Sequence, residues 1–297
     1  MERNNFVLLF LFLVQLSYGQ FQRADKFFLK RDYEKAAELY VELFKNDGDN
    51  QYYYSSLFNS YLKLNDFDAA EKLPSLERFV FASSAAVYGM RSMYSQEIIP
   101  EDVPLAPPNH YGIWKLAGEH VARLFYDNTK VPTVCLRLNT TYGKGRDKGK
   151  TSAPTNALKA IAMGSVSGEL MPFEMPYQGR ENYHFVEDVG AQFAAVTIQT
   201  FEGFEAFNIQ GETIPIKSFL EIAENQAKEL GIGDFASLSI VSNAPPNLFI
   251  CDLDHLKITS TFSNLPMTDI SEGIRKSLIE FRAMAEKGTL AYSTPAS

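Results

Sequence analysis

The stretch that decides the fold is Arg78-Phe79-Val80-Phe81-Ala82-Ser83, which runs directly into Ser84-Ala85-Ala86-Val87-Tyr88-Gly89. Its first part is short, apolar and rich in aromatic residues, which is the pattern of a buried strand. A second serine, Ser84, follows where that strand should end. Because open α/β sheets bind ligands at the carboxyl ends of their strands, this stretch predicts that Ser84 lies at a ligand site.

A second candidate motif, Tyr111-Gly112-Ile113-Trp114-Lys115, begins 27 residues after Ser84. Helical spacing from Tyr111 to about Phe125 places Tyr111 and Lys115 one turn apart on one face. A free tyrosine has a pKa of about 10 and is a poor base at neutral pH. A lysine cation one turn away favours the phenolate, so Tyr111 would exchange a proton with a sugar hydroxyl while Ser84 hydrogen-bonds the same oxygen.

The rest of the chain after residue 76 alternates between strand and helix periodicity, which is typical of βαβ units. The pattern therefore predicts an α/β fold with a parallel sheet. The predicted strands are Val131–Leu138, Glu181–Val186 and Phe204–Ile209, and the predicted helices lie near Asn156–Met163, Glu187–Thr200, Ile216–Leu230 and Ile270–Ala285.

Taken together, these features resemble the extended short-chain dehydrogenase/reductase family, the NAD-dependent epimerases and dehydratases of nucleotide sugars. A Tyr-x-x-x-Lys pair alone occurs by chance on many helices, but its combination with the strand and Ser-Ser-x-x-Val-Tyr-Gly is specific. The resemblance covers residues 77 to about 285. Four further stretches match the family's approach to its tyrosine, two of its strands and its last helix: Pro107–Gly112, Leu136–Gly143, Ala206–Ile209 and Thr268–Ile274.

The resemblance implies a partial Rossmann-like sheet with a small substrate-binding subdomain, and a catalytic triad of Ser84, Tyr111 and Lys115. Hydride would pass between a sugar carbon and NAD or NADP, with Tyr111 handling the proton and Lys115 binding the nicotinamide ribose. The residues implied to contact the cofactor are Ser83, Tyr111, Lys115 and Leu138. Those implied to contact the nucleotide-sugar substrate are Ser84, Thr140 and Arg180.

Three positions depart from the family pattern. Thr140 stands where the family usually has an asparagine that faces the substrate. Arg180 is displaced by one residue from the family's arginine, which argues against its contact with the substrate diphosphate. No acidic residue follows Ser84, as one would in the dehydratase branch, so epimerase or reductase chemistry is favoured over dehydration.

The family's glycine-rich turn has no counterpart before Ser84. In relatives, Gly-x-x-Gly-x-x-Gly lets backbone N–H groups at a helix N-terminus reach the cofactor pyrophosphate. Before Ser84 this sequence has only Gly19 and Gly48, and neither follows a predicted strand. The sequence therefore predicts that NAD or NADP binding is weak or lost and that enzyme activity is impaired.

The first nineteen residues are typical of a secretory signal peptide. Arg3 precedes an apolar run from Phe6 to Leu16, and Ser17-Tyr18-Gly19 offers small residues before a cleavage at Gln20. This run of eleven residues, broken only by Gln15, is too short for a membrane span, which needs about 20. The alternative is a buried N-terminal helix. Export would conflict with NAD-dependent sugar chemistry, which belongs with cytoplasmic cofactor pools.

Residues 20–73 contain an internal period. Asp32-Tyr33-Glu34-Lys35-Ala36 recurs 34 residues later as Asp66-Phe67-Asp68-Ala69-Ala70. A helix–turn–helix period of this length resembles the tetratricopeptide repeat. Only about one and a half units fit, so the segment is either a peptide-binding arm or a fragment that packs on the next part of the chain. Its presence makes a non-catalytic exported interaction module the alternative function.

The composition excludes several classes of protein. Apolar residues at 45% and charged residues at 22% exclude a disordered, collagen-like or polytopic membrane chain. A net charge of −8 without long runs of like charge argues against nucleic-acid binding. Cys135 and Cys251, like the scattered histidines, have no metal-ligand spacing.

The predicted organisation is a signal peptide at 1–19, a helical repeat at 20–73 and a partial epimerase/dehydratase domain at 77–290. It corresponds to two partial proteins joined near residues 73–76. The family resemblance also implies a possible homodimer through the helices that flank Tyr111.

Overall fold

The computed structural model describes residues 21–46, 51–64, 66, 69, 76–247 and 249–292. The chain forms two compact units, residues 1–76 and 77–297. The predicted signal peptide at 1–19 lies outside the described residues. None of the described helices is long and apolar enough to cross a membrane.

The first unit is helical in its described part. Helix α1 covers residues 21–29, α2 is Tyr33–Asn46 and α3 is Gln51–Leu64. Ala36 is fully buried in their common core, so a small side chain lets neighbouring helices approach closely. Most of the second copy of the repeat motif falls on residues that are not described, and the tetratricopeptide interpretation stays a prediction.

The second unit alternates strands and helices, which confirms the predicted α/β fold. Every strand and helix predicted after residue 76 is present within a few residues of its expected bounds. In chain order the elements are β1 Phe79–Ser84, α4 His110–Thr129, β2 Thr133–Leu138, β3 Thr140–Tyr142, α5 Ala153–Ser167, β4 Phe173–Met175, β5 Arg180–Phe185, α6 Val186–Ile198, β6 Phe204–Asn208, β7 Glu212–Pro215, α7 Ile216–Glu229, β8 Leu238–Ile240, α8 Leu256–Thr261 and α9 Ile270–Glu286.

The main sheet has the order β1-β2-β6, and all of its strands are parallel. Ser84 lies opposite Leu138, and Arg137 lies opposite Asn208. The carboxyl ends of the three strands therefore meet at one edge, where an α/β sheet places its ligands. Within the described residues β1 is the outer strand on its side of the sheet.

A second sheet has the order β3-β5-β7, with β3 and β5 parallel and β5 and β7 antiparallel. Tyr183 of β5 stacks on Phe219 of α7 with ring centres 4.5 Å apart, inside a core that also includes α5 and α9. Strands β4 and β8 form a short parallel pair beside it. The antiparallel pairing was not predicted, because β7 has only four residues, ends at a proline and carries no apolar run.

Candidate active site

Ser84 ends β1 and begins the short 3₁₀ turn Ala85–Val87. Its Oγ accepts a hydrogen bond from the Ala86 N–H at 3.2 Å, which caps that turn. Since Oγ is used as an acceptor there, the Ser84 O–H remains able to donate to a ligand oxygen. The serine therefore lies at the carboxyl end of the strand, where the sequence placed it.

Helix α4 presents Tyr111 and Lys115 on one face. Asn109 caps the helix by accepting a hydrogen bond from the Gly112 N–H at 2.9 Å. Lys115 Nζ lies 5.6 Å from the centre of the Tyr111 ring and donates to the Ala82 carbonyl oxygen at 2.8 Å. The phenol is 48% exposed. The structure thus brings the Lys115 cation beside the Tyr111 ring and connects Lys115 to β1.

Gly112 sets how closely α4 approaches the turn after Ser84. A β-carbon at this position would overlap the Ala86 carbonyl oxygen and lie 2.7 Å from the Pro107 side chain. Only a residue without a side chain permits this approach. The helix that carries Tyr111 can therefore lie directly against the turn that Ser84 caps.

Replacing Gly112 with alanine is expected to lower the free energy of unfolding by about 1–3 kcal/mol, because the overlap outweighs the better helix propensity of alanine. Urea denaturation measures the change. The matched control is Gly190→Ala in α6, where a β-carbon meets nothing within 4 Å. That variant should gain roughly 0.5–1 kcal/mol. Equal stabilisation by both substitutions would show that α4 does not contact the turn closely.

A buried ion pair joins Arg137 to Glu119, which lies one helical turn after Lys115. The Glu119 carboxylate accepts hydrogen bonds from Arg137 Nε and Nη2, each at 2.9 Å, and a further one from the Ser83 hydroxyl. Glu119 is 5% exposed and Arg137 is 4% exposed. Sequence reasoning missed both residues. Two signals were available: Glu119 lies one turn after Lys115, and Arg137 interrupts an otherwise apolar strand.

The network continues from Arg137 across the sheet. Arg137 Nη1 donates to the Tyr88 hydroxyl at 2.9 Å, and that hydroxyl donates to Asn208 Oδ1 at 2.7 Å. Burial raises the pKa of Tyr88 to about 12, so it acts as a neutral donor. The Asn208 N–H donates to the Glu101 carboxylate at 3.0 Å. Polar groups at the ends of β1, β2 and β6 are therefore joined to one another.

Two of the residues implied to contact the cofactor lie at this edge as well. Ser83 is buried, and its hydroxyl is held by Glu119. Leu138 is half-buried at the end of β2, beside Ser84 in the register of the sheet.

The residues implied to contact substrate lie on the second sheet. Thr140 begins β3 and is fully buried. Arg180 begins β5, where its exposed guanidinium forms an ion pair with Asp252 at 3.1 Å. Among the described residues, neither side chain is hydrogen-bonded to Ser84, Tyr111 or Lys115. Tyr111 and Lys115 therefore lie beside each other on α4, and Lys115 is bonded to β1, the strand that ends at Ser84. Thr140 and Arg180 lie on β3 and β5.

Glu181, next to Arg180, is fully buried, and no hydrogen bond of good geometry reaches its carboxylate oxygens from the described residues. The Thr140 and Asn247 side chains lie near enough to favour its charged form, but less strongly than burial opposes it. The hydroxyls of Thr140, Tyr177 and Tyr183 are buried without a partner in the same way. Thr140 pairs with Tyr183 in the register of β3 and β5, so Glu181 lies on their side of the sheet. Burial raises the pKa of Glu181 to about 7.

This raised pKa predicts a stability that depends on pH. The folded carboxyl holds its proton more tightly than the unfolded one, whose pKa is near 4.5. Its contribution to stability is therefore fully present below about pH 4.5 and is lost as pH rises through about 7. Glu181→Gln removes the titration, so its stability relative to the wild type should increase between pH 5 and pH 8 in urea denaturation. A constant difference in stability between Glu181→Gln and the wild type across this range would refute the raised pKa of Glu181.

His184 has a structural role. Its Nε2 accepts a hydrogen bond from the Asn139 N–H at 3.0 Å, so the proton lies on Nδ1, 3.1 Å from the Gln210 carbonyl oxygen. Burial lowers the pKa of His184 to about 4, and the ring stays neutral. No cluster of three potential metal-ligating side chains occurs in the part of the chain that the structure describes.

The candidate site has donor groups that suit the ribose of a nicotinamide dinucleotide. Lys115 uses one of its three N–H donors on Ala82, and the exposed Tyr111 lies beside it, so both remain available to a ribose.

Comparison with known proteins places these features in a family. The model of the NAD dependent epimerase/dehydratase family matches residues 44–209. An uncharacterized UDP-glucose epimerase of Bacillus subtilis is 38% identical over 69 residues, which cover 23% of this chain and 21% of that protein. The dTDP-glucose 4,6-dehydratase of Neisseria gonorrhoeae is 23% identical over 220 residues, which cover 70% of this chain and 61% of the relative. The chain thus spans less than two thirds of the length of these curated relatives.

Solved structures share the fold. The UDP-glucuronic acid 4-epimerase of Bacillus cereus, in complex with UDP-glucuronic acid and NAD, has a TM-score of 0.56 at 19% identity. The match covers 78% of this chain and 67% of the epimerase. The RMD protein of Pseudomonas aeruginosa, complexed with NADPH, has a TM-score of 0.60 at 18% identity. The match covers 75% of this chain and 72% of the RMD protein. Since the family model matches more than half of the residues, the chain belongs to the NAD dependent epimerase/dehydratase family.

Proposed function

We propose that residues 77–290 form an epimerase- or reductase-type oxidoreductase domain for nucleotide sugars, with Ser84, Tyr111 and Lys115 as its catalytic triad. The observation that carries this proposal is the position of Lys115 Nζ, 5.6 Å from the Tyr111 ring and hydrogen-bonded to the strand that delivers Ser84. Family membership supports the class of reaction. The missing acidic residue after Ser84 favours epimerisation or reduction over dehydration.

Each residue of the triad has a defined task in this mechanism. The Tyr111 phenolate takes the proton from a sugar hydroxyl during oxidation, and the phenol so formed returns it during reduction. The Lys115 ammonium stabilises the phenolate during that exchange and donates its free N–H groups to the nicotinamide ribose. The Ser84 O–H donates to the same sugar oxygen and holds it near Tyr111. When bound, NAD or NADP supplies or accepts the hydride.

We also propose that the cofactor binds weakly, because the sequence before Ser84 lacks the family's glycine-rich motif. Titration of NADH fluorescence with the full chain should give a Kd of about 1 mM or weaker, which corresponds to roughly 4 kcal/mol of binding free energy. Lys115→Met should weaken binding further, and Lys130→Met at the far end of α4 should not. A micromolar Kd for the wild type would overturn this part of the proposal.

Homodimer formation is a further part of the proposal. The outer face of α4 exposes Ile113, Trp114, Val121 and Leu124, a pattern that marks association surfaces. The alternative function, peptide binding by an exported helical module, is favoured by the separate core of the first unit. It predicts that the full chain carrying Tyr111→Phe still retains a peptide partner in a pull-down.

A further inference from the structure

Tyr111, Lys115 and Glu119 are spaced four residues apart, so they lie on the same face of α4. Such a row slants across a helix. Burial increases along it: Tyr111 is exposed, Lys115 is partly buried against β1, and Glu119 is buried under the sheet edge. Of the three residues, Glu119 is therefore the one most enclosed by its surroundings.

Glu119 is held by two strands at once. One carboxylate oxygen accepts hydrogen bonds from Ser83 of β1 and from Arg137 Nε of β2, and the other accepts from Arg137 Nη2. Ser83 and Arg137 lie opposite each other in the register of the sheet. Since Ser83 directly precedes Ser84, a single carboxylate connects the serine of the candidate triad to the helix that carries the other two members.

Arg137 is fixed in turn from its other side. Nη1 donates to the Tyr88 hydroxyl at 2.9 Å and to the Glu101 carbonyl oxygen at 3.2 Å. The guanidinium also lies 5.0 Å from the centre of the Tyr88 ring. A planar guanidinium paired in this bidentate way defines both distance and angle. Arg137 is therefore a rigid point of attachment for Glu119.

Stability alone does not require such a pair. Replacing both members of a buried ion pair with apolar residues of similar volume is often neutral or stabilising. What apolar residues do not reproduce is the fixed geometry of two parallel N–H···O bonds. The Glu119–Arg137 pair therefore contributes more to the exact placement of α4 than to the free energy of unfolding.

We propose that Glu119 and Arg137 are positioning residues that set the rotation of α4 and so place Tyr111 and Lys115 beside Ser84. The catalytic consequence rests on the proposed function. The geometric consequence does not, because it concerns the hydrogen bond from Lys115 to Ala82 in the protein without any ligand.

The test uses the full chain with the double substitution Glu119→Leu and Arg137→Met, which removes both charges and keeps an apolar volume. The control removes the exposed pair on the same helix with Arg123→Met and Asp127→Leu. Competitive acetylation read by mass spectrometry gives the rate for Lys115 relative to Lys130 in each folded protein. Urea denaturation establishes that each variant is folded. If the double variant does not fold, it is replaced by Ser83→Ala, which removes only the hydrogen bond from Ser83 to Glu119.

We expect the ratio of Lys115 to Lys130 acetylation to rise in the double variant, because Lys115 leaves the Ala82 carbonyl, and to stay at the wild-type value in the control. Hydride turnover should fall about 100-fold in kcat with KM for the sugar retained, as for a misplaced catalytic group. A folded double variant with an unchanged acetylation ratio would overturn the positioning role. A changed ratio in a protein without turnover would support positioning and count against the proposed function instead.

Discussion

Replacing Arg137 alone with leucine is expected to lower the free energy of unfolding by about 3–5 kcal/mol. The substitution leaves the Glu119 carboxylate buried without its two guanidinium hydrogen bonds, and a buried unpaired charge is far more costly than a lost surface contact. Tyr88 and the Glu101 carbonyl oxygen lose a donor in the same step. Urea denaturation followed by circular dichroism measures the loss.

The matched control for this prediction is Arg282→Leu in α9. Arg282 forms an ion pair with Glu286 at 3.3 Å, but both side chains are largely exposed to solvent. Exposed pairs of this kind contribute about 1 kcal/mol or less. If Arg137→Leu lowers the free energy of unfolding no more than Arg282→Leu does, then the Glu119–Arg137 pair is not buried as described.

The general fold could be predicted because its signals are local in the sequence. The apolar run at Phe79–Ser84 and the helical spacing that starts near Tyr111 each identify an element without knowledge of its neighbours. Their order along the chain then implies parallel strands. The position of Ser84 at the carboxyl end of β1 and the one-turn spacing of Tyr111 and Lys115 on α4 follow from those elements.

Features that depend on contacts between distant residues could not be predicted in this way. The ion pair of Glu119 and Arg137 joins two elements, and nothing in either local pattern identifies the partner. The burial of Glu181 is similar, since a carboxylate at the start of a strand is usually exposed. Strand β7 was missed because its pairing with β5, and not its own composition, makes it a strand.

The catalytic assignment itself makes the second large prediction, for Tyr111→Phe. This change keeps the ring beside Lys115 and removes only the hydroxyl that handles the proton. We expect kcat to fall by about 10²–10⁴-fold, the usual contribution of a positioned acid or base. Tyr126→Phe, farther along the same helix, should leave kcat near the wild-type value. Both variants should keep the wild-type free energy of unfolding to within about 1 kcal/mol, because neither substitution creates a cavity.

The most direct measurement is the turnover of a UDP-sugar with NAD at millimolar cofactor, for the wild type and the two variants. NMR of the sugar detects epimerisation, which leaves no net NADH, and absorbance at the nicotinamide band detects net oxidation or reduction. The account predicts slow turnover in the wild type and in Tyr126→Phe, and a loss of at least about 100-fold in Tyr111→Phe. Equal rates in all three proteins, or no turnover in the wild type across a panel of UDP-sugars, would contradict it.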